Sequence, residues 1–216
     1  FTSQRIFVST LAAALLGAGC GSTEVTIPQD PDFEGVFDFD GVALTDLSDQ
    51  CDYDTGAITL TLESGDIGVM GRNAAGEVTI NGVACGDATV SNIRTITVEE
   101  GSAGAQTLVL DFLAGQFANG RTTGAGWTID LGSGDDNLRV RGTTGVDRYT
   151  MGDTGLATNS DANVDVTYAN IESVVVSLGP GNDIFSAGGN AAAGTALTAS
   201  VAVYGGAGND SLRGGA

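Results

Sequence analysis

The stretch "SVVVSLGPGNDIFSA", residues 173–187, combines a run of valines, a glycine-rich turn and a second apolar segment. Consecutive β-branched residues favour a strand. Gly179 and Gly181 favour a tight turn instead of a helix, and Asp183 places a carboxylate at its end. The stretch therefore predicts two strands joined by a turn that carries one acidic side chain.

The same turn pattern, Gly-x-Gly-x-Asp, occurs three times in the C-terminal half of the chain. The copies are "LGSGDDNLRV" at 131–140, "LGPGNDIFSA" at 178–187 and "GGAGNDSLRG" at 205–214. A weaker copy at 142–150 has one extra residue between its glycines, and a degenerate copy at 101–109 has Gln106 in place of the aspartate. Repetition at this level indicates stacked units.

These copies resemble the nonapeptide repeat G-G-x-G-x-D-x-U-x of the hemolysin-type calcium-binding (RTX) family, in which U is a large apolar residue. The resemblance implies that Ca²⁺ is bound between stacked turns. Calcium takes six to eight oxygen ligands, so glycine carbonyls and an aspartate suit it, and one turn supplies only half of a shell. The implied metal ligands come from Gly132, Gly134, Asp136, Gly179, Gly181, Asp183, Gly206, Gly208 and Asp210.

The spacing of the copies differs from that of contiguous nonapeptides. The aspartates stand at 136, 183 and 210, which are 47 and 27 residues apart. Each turn follows a short apolar pattern, and aligning the turns places Ile96, Trp127, Val174 and Val201 in one column, as in stacked parallel strands. We therefore expect an all-β fold in which 96–216 form a right-handed parallel β-solenoid, similar to a β-roll or β-helix, with the three aspartates along one edge.

The composition excludes several classes of function. The chain has 27 acidic and 8 basic residues, a net charge of -19 and no histidine. Such a charge repels nucleic acid, and the missing histidine removes the usual serine and cysteine triads. Asp-Thr-Gly, the triplet of aspartic proteases, occurs at 54–56 and 153–155, but without the preceding apolar strands of that family. We expect no catalytic centre.

The N-terminus has the pattern of a bacterial export signal. Residues 1–20 contain an apolar stretch too short to span a bilayer, and they end in "LGAGC", which resembles a lipobox with Cys20 as the acylated residue. An ordinary cleavable signal is the alternative. A lipidated Cys20 implies an outer-membrane lipoprotein at the cell surface, anchored in the outer leaflet, with residues 21–50 as a solvated acidic tether.

Cys51 and Cys85 remain as an even pair, which in an exported protein predicts a disulfide. We expect 51–95 to form short strands that this bond closes, as an N-terminal cap of the solenoid. The last residues, "GGA" at 214–216, match the start of a further copy, so we expect the repeats to continue beyond them.

These features together predict an exported, lipid-anchored, calcium-binding repeat protein in which calcium drives folding. Two alternatives stay open at this point. The region could be the calcium-dependent folding module of a longer secreted enzyme, or the spacer of an adhesin or surface layer.

Overall fold

The computed structural model describes residues 32–36, 43–118, 126–161 and 163–216. The regular secondary structure of these residues is β-strand, apart from one 3₁₀ turn at Ser48–Gln50. Two sheets share the strands. The nine-stranded sheet contains, in spatial order, β1 (Cys51–Asp54), β2 (Ala57–Leu62), β6 (Thr95–Glu100), β8 (Trp127–Asp130), β12 (Val166–Ala169), β11 (Gly155–Ala157), β10 (Arg148–Gly152), β14 (Ile184–Ser186) and β16 (Ser211–Arg213). The seven-stranded sheet contains β15 (Ser200–Tyr204), β13 (Ser173–Ser177), β9 (Asn137–Arg141), β7 (Thr107–Asp111), β3 (Ile67–Arg72), β4 (Glu77–Ile80) and β5 (Val83–Thr89).

The chain crosses repeatedly from one sheet to the other, and the crossings lie at two opposite margins. At the first margin the chain passes from the nine-stranded to the seven-stranded sheet, through the turns 101–106 and 131–136. At the second margin it returns, through the turns 142–147, 178–183 and 205–210. The glycine-rich copies are therefore the connections between the sheets.

The predicted single right-handed parallel β-solenoid is wrong, because both sheets are mixed. Antiparallel pairs join β1 to β2, β3 to β4, β4 to β5, β10 to β11, and β11 to β12. Two-residue turns with positive φ produce hairpins here: Thr55 and Gly56 have φ of 49° and 91°, and Asn81 and Gly82 have φ of 49° and 81°. Such turns match the twist of antiparallel strands. Both Asp-Thr-Gly triplets lie at turns between antiparallel strands, the first between β1 and β2 and the second between β10 and β11.

The predicted column of four apolar residues is also wrong, because it is divided between the two sheets. Trp127 pairs with Ile96 and Val166 in the nine-stranded sheet, whereas Val174 pairs with Val201 in the seven-stranded sheet. The reason is the segment from β10 to β12, which adds three strands to one sheet before the chain crosses again. As a result, the strands that precede the later copies, β13 and β15, belong to the seven-stranded sheet, whereas those that precede the earlier copies, β6 and β8, belong to the nine-stranded sheet.

The core lies between the two sheets and consists of the inward residues of both. Its largest fully buried side chains include Trp127, Tyr149, Phe112 and Phe185. The Phe117 and Trp127 rings lie 5.2 Å apart between centroids, and the Trp127 Nε1 donates a hydrogen bond to the Phe117 carbonyl. Burial on this scale supplies most of the driving force for the fold.

A short part of the predicted solvated tether packs on the body. Phe33 and Val36 are buried against the outer face of the seven-stranded sheet, where Val36 joins a small cluster with Leu44, Val69 and Val109. Arg139 donates from Nη1 to the Gly35 and Val36 carbonyls, at 3.1 Å each. We call residues 32–36 the strap. Residues 1–31, which carry the predicted signal and Cys20, lie outside the described residues.

Candidate cation-binding turns

Three turns stack at the second margin, and the aspartates of the second and third turns each accept a hydrogen bond from the turn before. The Asp147 backbone N–H donates to Asp183 Oδ1 at 2.8 Å, and the Asp183 N–H donates to Asp210 Oδ1 at 2.9 Å. A second rung runs alongside, since the Asn209 N–H donates to Asn182 Oδ1 at 2.8 Å. One oxygen of each of these carboxylates therefore holds two turns in register.

Glycine is required where these turns approach one another. A Cβ at Gly206 would clash with the Gly179 carbonyl oxygen, and one at Gly208 would clash with the Gly181 carbonyl oxygen. Gly206 also has a φ of 78°, which side chains rarely tolerate. The sequence pattern thus lets the carbonyls of one turn face the backbone of the next.

One carboxylate oxygen of Asp183 is buried without a hydrogen bond to offset the loss of water. The side chain is 0% exposed, and its Oδ2 has no hydrogen-bond partner among the described residues. Burial raises the pKa of Asp183, the hydrogen bond from the Asp147 N–H opposes this in part, and the charge of Asp210 raises the pKa further. A buried carboxylate oxygen beside backbone carbonyls is stabilised by a cation or by protonation.

Asp147, in the copy with one extra residue, is used differently. Its Oδ2 accepts from the Thr143 N–H at 2.8 Å and its Oδ1 accepts from Thr143 Oγ1 at 3.2 Å, so the carboxylate closes its own turn. Burial raises the pKa of Asp147, and the Thr143 N–H offsets part of that effect. This copy offers less free carboxylate oxygen than the copy of Asp183.

Asp136 does not join the other two aspartates, so the prediction of one shared edge is wrong. It lies at the first margin, where its Oδ1 accepts from the Gln106 N–H at 2.7 Å and its own N–H donates to Glu172 Oε2 at 2.8 Å. The structure thus brings Asp183 and Asp210 together and separates Asp136 from them. Asp136 lies at a different margin because the strands β10–β12 are inserted between its copy and the later copies.

Sequence reasoning missed Glu172 and treated Gln106 as a relic. Both occupy the position of the aspartate in a crossing at the first margin, since each directly precedes a strand of the seven-stranded sheet, as Asp136 does. The signal was present in "NIESVVV", where an acid precedes a valine run. Without the glycines this signal cannot be separated from an ordinary surface acid.

The cysteine pair lies at the opposite end of the molecule from the last repeats. Cys51 in β1 and Cys85 in β5 are joined by a disulfide with a Cα–Cα distance of 5.6 Å. Because β1 and β5 are the terminal strands of the two sheets, this bond connects the sheets at their N-terminal end.

The chemistry at these turns depends on oxygen atoms of several kinds. Among the described residues, no group of three or more histidine, cysteine, aspartate or glutamate side chains is placed to hold a metal ion. Any cation at the turns needs backbone carbonyls as ligands beside its carboxylates, and calcium accepts such a mixed oxygen set.

In the part of the chain that the structure describes, no helix has the length and apolarity needed to cross a membrane.

Comparisons of this chain with protein-family models, with curated proteins and with solved structures gave no match.

Proposed function

We propose that this chain is an exported calcium-binding protein whose stacked glycine–aspartate turns at the second margin hold Ca²⁺. The observation that carries the proposal is the buried Asp183 Oδ2, which has no hydrogen-bond partner in the described part of the chain. In the facing turns 178–183 and 205–210, the carbonyls of Gly179 and Gly181 lie against the next turn and Asp210 Oδ1 accepts from the Asp183 N–H. A hard divalent cation satisfies such an all-oxygen set better than a softer metal does.

The site is expected to bind weakly. Extracellular calcium modules have dissociation constants of about 0.1–1 mM. One oxygen of Asp183 is already bonded to the Asp147 N–H, so the turns stay in register before the ion arrives. Calcium then removes the repulsion between Asp183 and Asp210 and stabilises the folded state by mass action.

The test is a calcium titration of the full chain, followed by urea unfolding at each concentration. With a dissociation constant near 0.5 mM, 10 mM calcium should add about 2 kcal/mol to the unfolding free energy of the wild type. Asp183→Asn keeps an oxygen for the Asp147 N–H and removes the charge, so its gain should be clearly smaller than that of the wild type. Asp161→Asn, at an exposed position, removes the same charge as a control. Equal calcium gains in the wild type and Asp183→Asn contradict the proposal.

The location belongs to the proposal and is supported by sequence alone. The apolar run that ends at Cys20 supports export and lipid attachment to the outer leaflet of a bacterial membrane. Mass spectrometry of the protein from its native host should find a mature chain that begins at an acylated Cys20. Cleavage at another residue would remove this part of the proposal and leave calcium binding untouched.

A further inference from the structure

The degenerate copy at 101–106 is stacked on the copy at 131–136 in the same manner as the complete copies. The Gln106 N–H donates to Asp136 Oδ1 at 2.7 Å, and the Gly104 N–H donates to the Ser133 carbonyl at 3.0 Å. A Cβ at Gly134 would clash with the Gly104 carbonyl oxygen. The two turns are therefore in close contact at the first margin, although the turn 101–106 has no aspartate.

Two buried oxygen atoms in this pair of turns have no donor. Gln106 is 1% exposed and Asp136 is 0% exposed, and neither Gln106 Oε1 nor Asp136 Oδ2 has a hydrogen-bond partner within the described ranges. The Gln106 Nε2 donates to the Ser102 carbonyl at 2.8 Å, which fixes the amide so that Oε1 remains the acceptor. Both atoms are acceptors, so each is stabilised by a cation or by a hydrogen-bond donor.

The electrostatic surroundings of Asp136 favour a cation in particular. Burial raises the pKa of Asp136, the hydrogen bond from the Gln106 N–H opposes this in part, and the negative charges of Glu172, Glu100 and Asp135 raise it further. Glu100 extends towards the same turn, because its Oε1 accepts from the Ser133 N–H at 3.1 Å. A carboxylate that is both buried and surrounded by acids gains more from a divalent cation than from a neutral donor.

We propose that the turns 101–106 and 131–136 form a calcium site of a different composition, in which Gln106 Oε1 and Asp136 Oδ2 are side-chain ligands and turn carbonyls complete the shell. The choice of calcium rests on the proposed function, whereas the site itself involves none of the residues of the second margin. An amide oxygen is an ordinary calcium ligand. Gln106 is then a ligand in its own right and not the remnant of a lost aspartate.

The first test counts the ions bound to the folded full chain. Urea unfolding is measured across a series of CaCl₂ concentrations at constant ionic strength, and the slope of stability against the logarithm of calcium gives the number of ions. Gln106→Met, which has similar volume and lacks the oxygen, should bind one ion fewer than the wild type. The control is Gln50→Met, because Gln50 Oε1 is also buried and without a partner in the described chain but lies in the 3₁₀ turn. An unchanged ion count in Gln106→Met overturns the site.

The same series separates this site from that of the second margin. Asp183→Asn should lose ions there and keep the ion at Gln106. If Asp183→Asn abolishes all calcium dependence, the Gln106 site is overturned and the proposed function stands. If only Gln106→Met lowers the count, the proposed function fails and this inference stands.

A second variant distinguishes a cation from a buried water or a protonated Asp136. Gln106→Glu adds a charged ligand, so the calcium concentration for half-maximal stabilisation should fall about tenfold, while stability in EDTA falls. If a water or a proton occupies this place instead, Gln106→Glu leaves the calcium dependence unchanged, because a second buried carboxylate then destabilises the protein equally with and without calcium. That result overturns the proposal.

Discussion

At the scale of single residues, Asn81 shows how one buried polar side chain organises its surroundings. Its Oδ1 accepts from the Val69 N–H at 2.7 Å, and its Nδ2 donates to the Thr45 and Ile67 carbonyls at 2.8 Å each. It is 0% exposed and has a φ of 49°. Asparagine is suited to this position because it tolerates left-handed backbone and replaces missing strand bonds with its amide.

Asn81→Ala should lower the unfolding free energy by about 3 kcal/mol, since it leaves the Val69 N–H and two carbonyls unsatisfied in the interior. Asn170→Ala is the matched control, because Asn170 has a φ of 57° but is exposed. The control should lose about 1 kcal/mol, for the left-handed backbone and for the exposed hydrogen bond from its Nδ2 to Asp130 Oδ1. Urea unfolding of both variants measures the difference, and equal losses would show that the buried amide contributes nothing.

At the scale of elements, the turns could be recognised from the sequence, but the sheet that each following strand joins could not. The Gly-x-Gly-x-Asp copies predicted tight turns that lead into strands, and the turns before β9, β14 and β16 are of this kind. "NG" at 81–82 is a strong hairpin signal that sequence reading passed over, although it produces the β4–β5 pair. Which sheet a strand joins depends on how many crossings precede it, and the crossing from β12 to β13 at 170–172 has no glycine pattern.

The strap is an element whose role the acidic composition of 21–50 concealed. Phe33 is 3% exposed, lies under the Arg141 guanidinium at 5.6 Å from the ring centroid, and contacts Gly179. Arg141 in turn pairs with Asp111 in the neighbouring strand. An apolar ring between acidic neighbours therefore fastens the strap to the outer face of the seven-stranded sheet.

Phe33→Ala should lower the unfolding free energy by about 3 kcal/mol, because it empties a buried site and removes a contact with a cation. Glu34→Ala, one residue further along and exposed, should change stability by less than about 0.5 kcal/mol. Thermal unfolding of the two variants decides the matter. A solvated tether would give two equally small changes.

At the scale of the whole molecule, the folded chain keeps a large negative charge close to its backbone turns. The net charge is -19, and three aspartates that lie within the turns are buried: Asp136, Asp147 and Asp183. Their pKa values are all raised, in each case first by burial. Calcium-free folding therefore includes a cost that hydrogen bonds between the turns offset only in part.

The dependence of stability on pH follows from the direction of these shifts. A carboxyl whose folded pKa is raised binds protons more readily in the folded than in the unfolded chain, so stability increases as pH falls towards the ordinary aspartate value of 3.8. Asp46 and Asp153 have lowered pKa values, through hydrogen bonds from Ser48 and from Thr195 and Thr198, and their contribution is lost below that value. In EDTA the melting temperature should therefore rise from pH 7 to about pH 4.5 and fall in stronger acid.

Calcium should flatten this rise, because a bound cation holds the same carboxyls ionised and lowers their pKa values. Asp183→Asn should also reduce the rise in EDTA, and at pH 7 it should be more stable than the wild type, since it removes an uncompensated buried charge. The exposed Asp161→Asn lowers the net charge equally and separates this effect from general repulsion. Melting curves of the three proteins at pH 7 and 4.5, each in EDTA and in 10 mM calcium, give the comparison. A wild-type melting temperature that falls steadily from pH 7 in EDTA would contradict the burial of these charges.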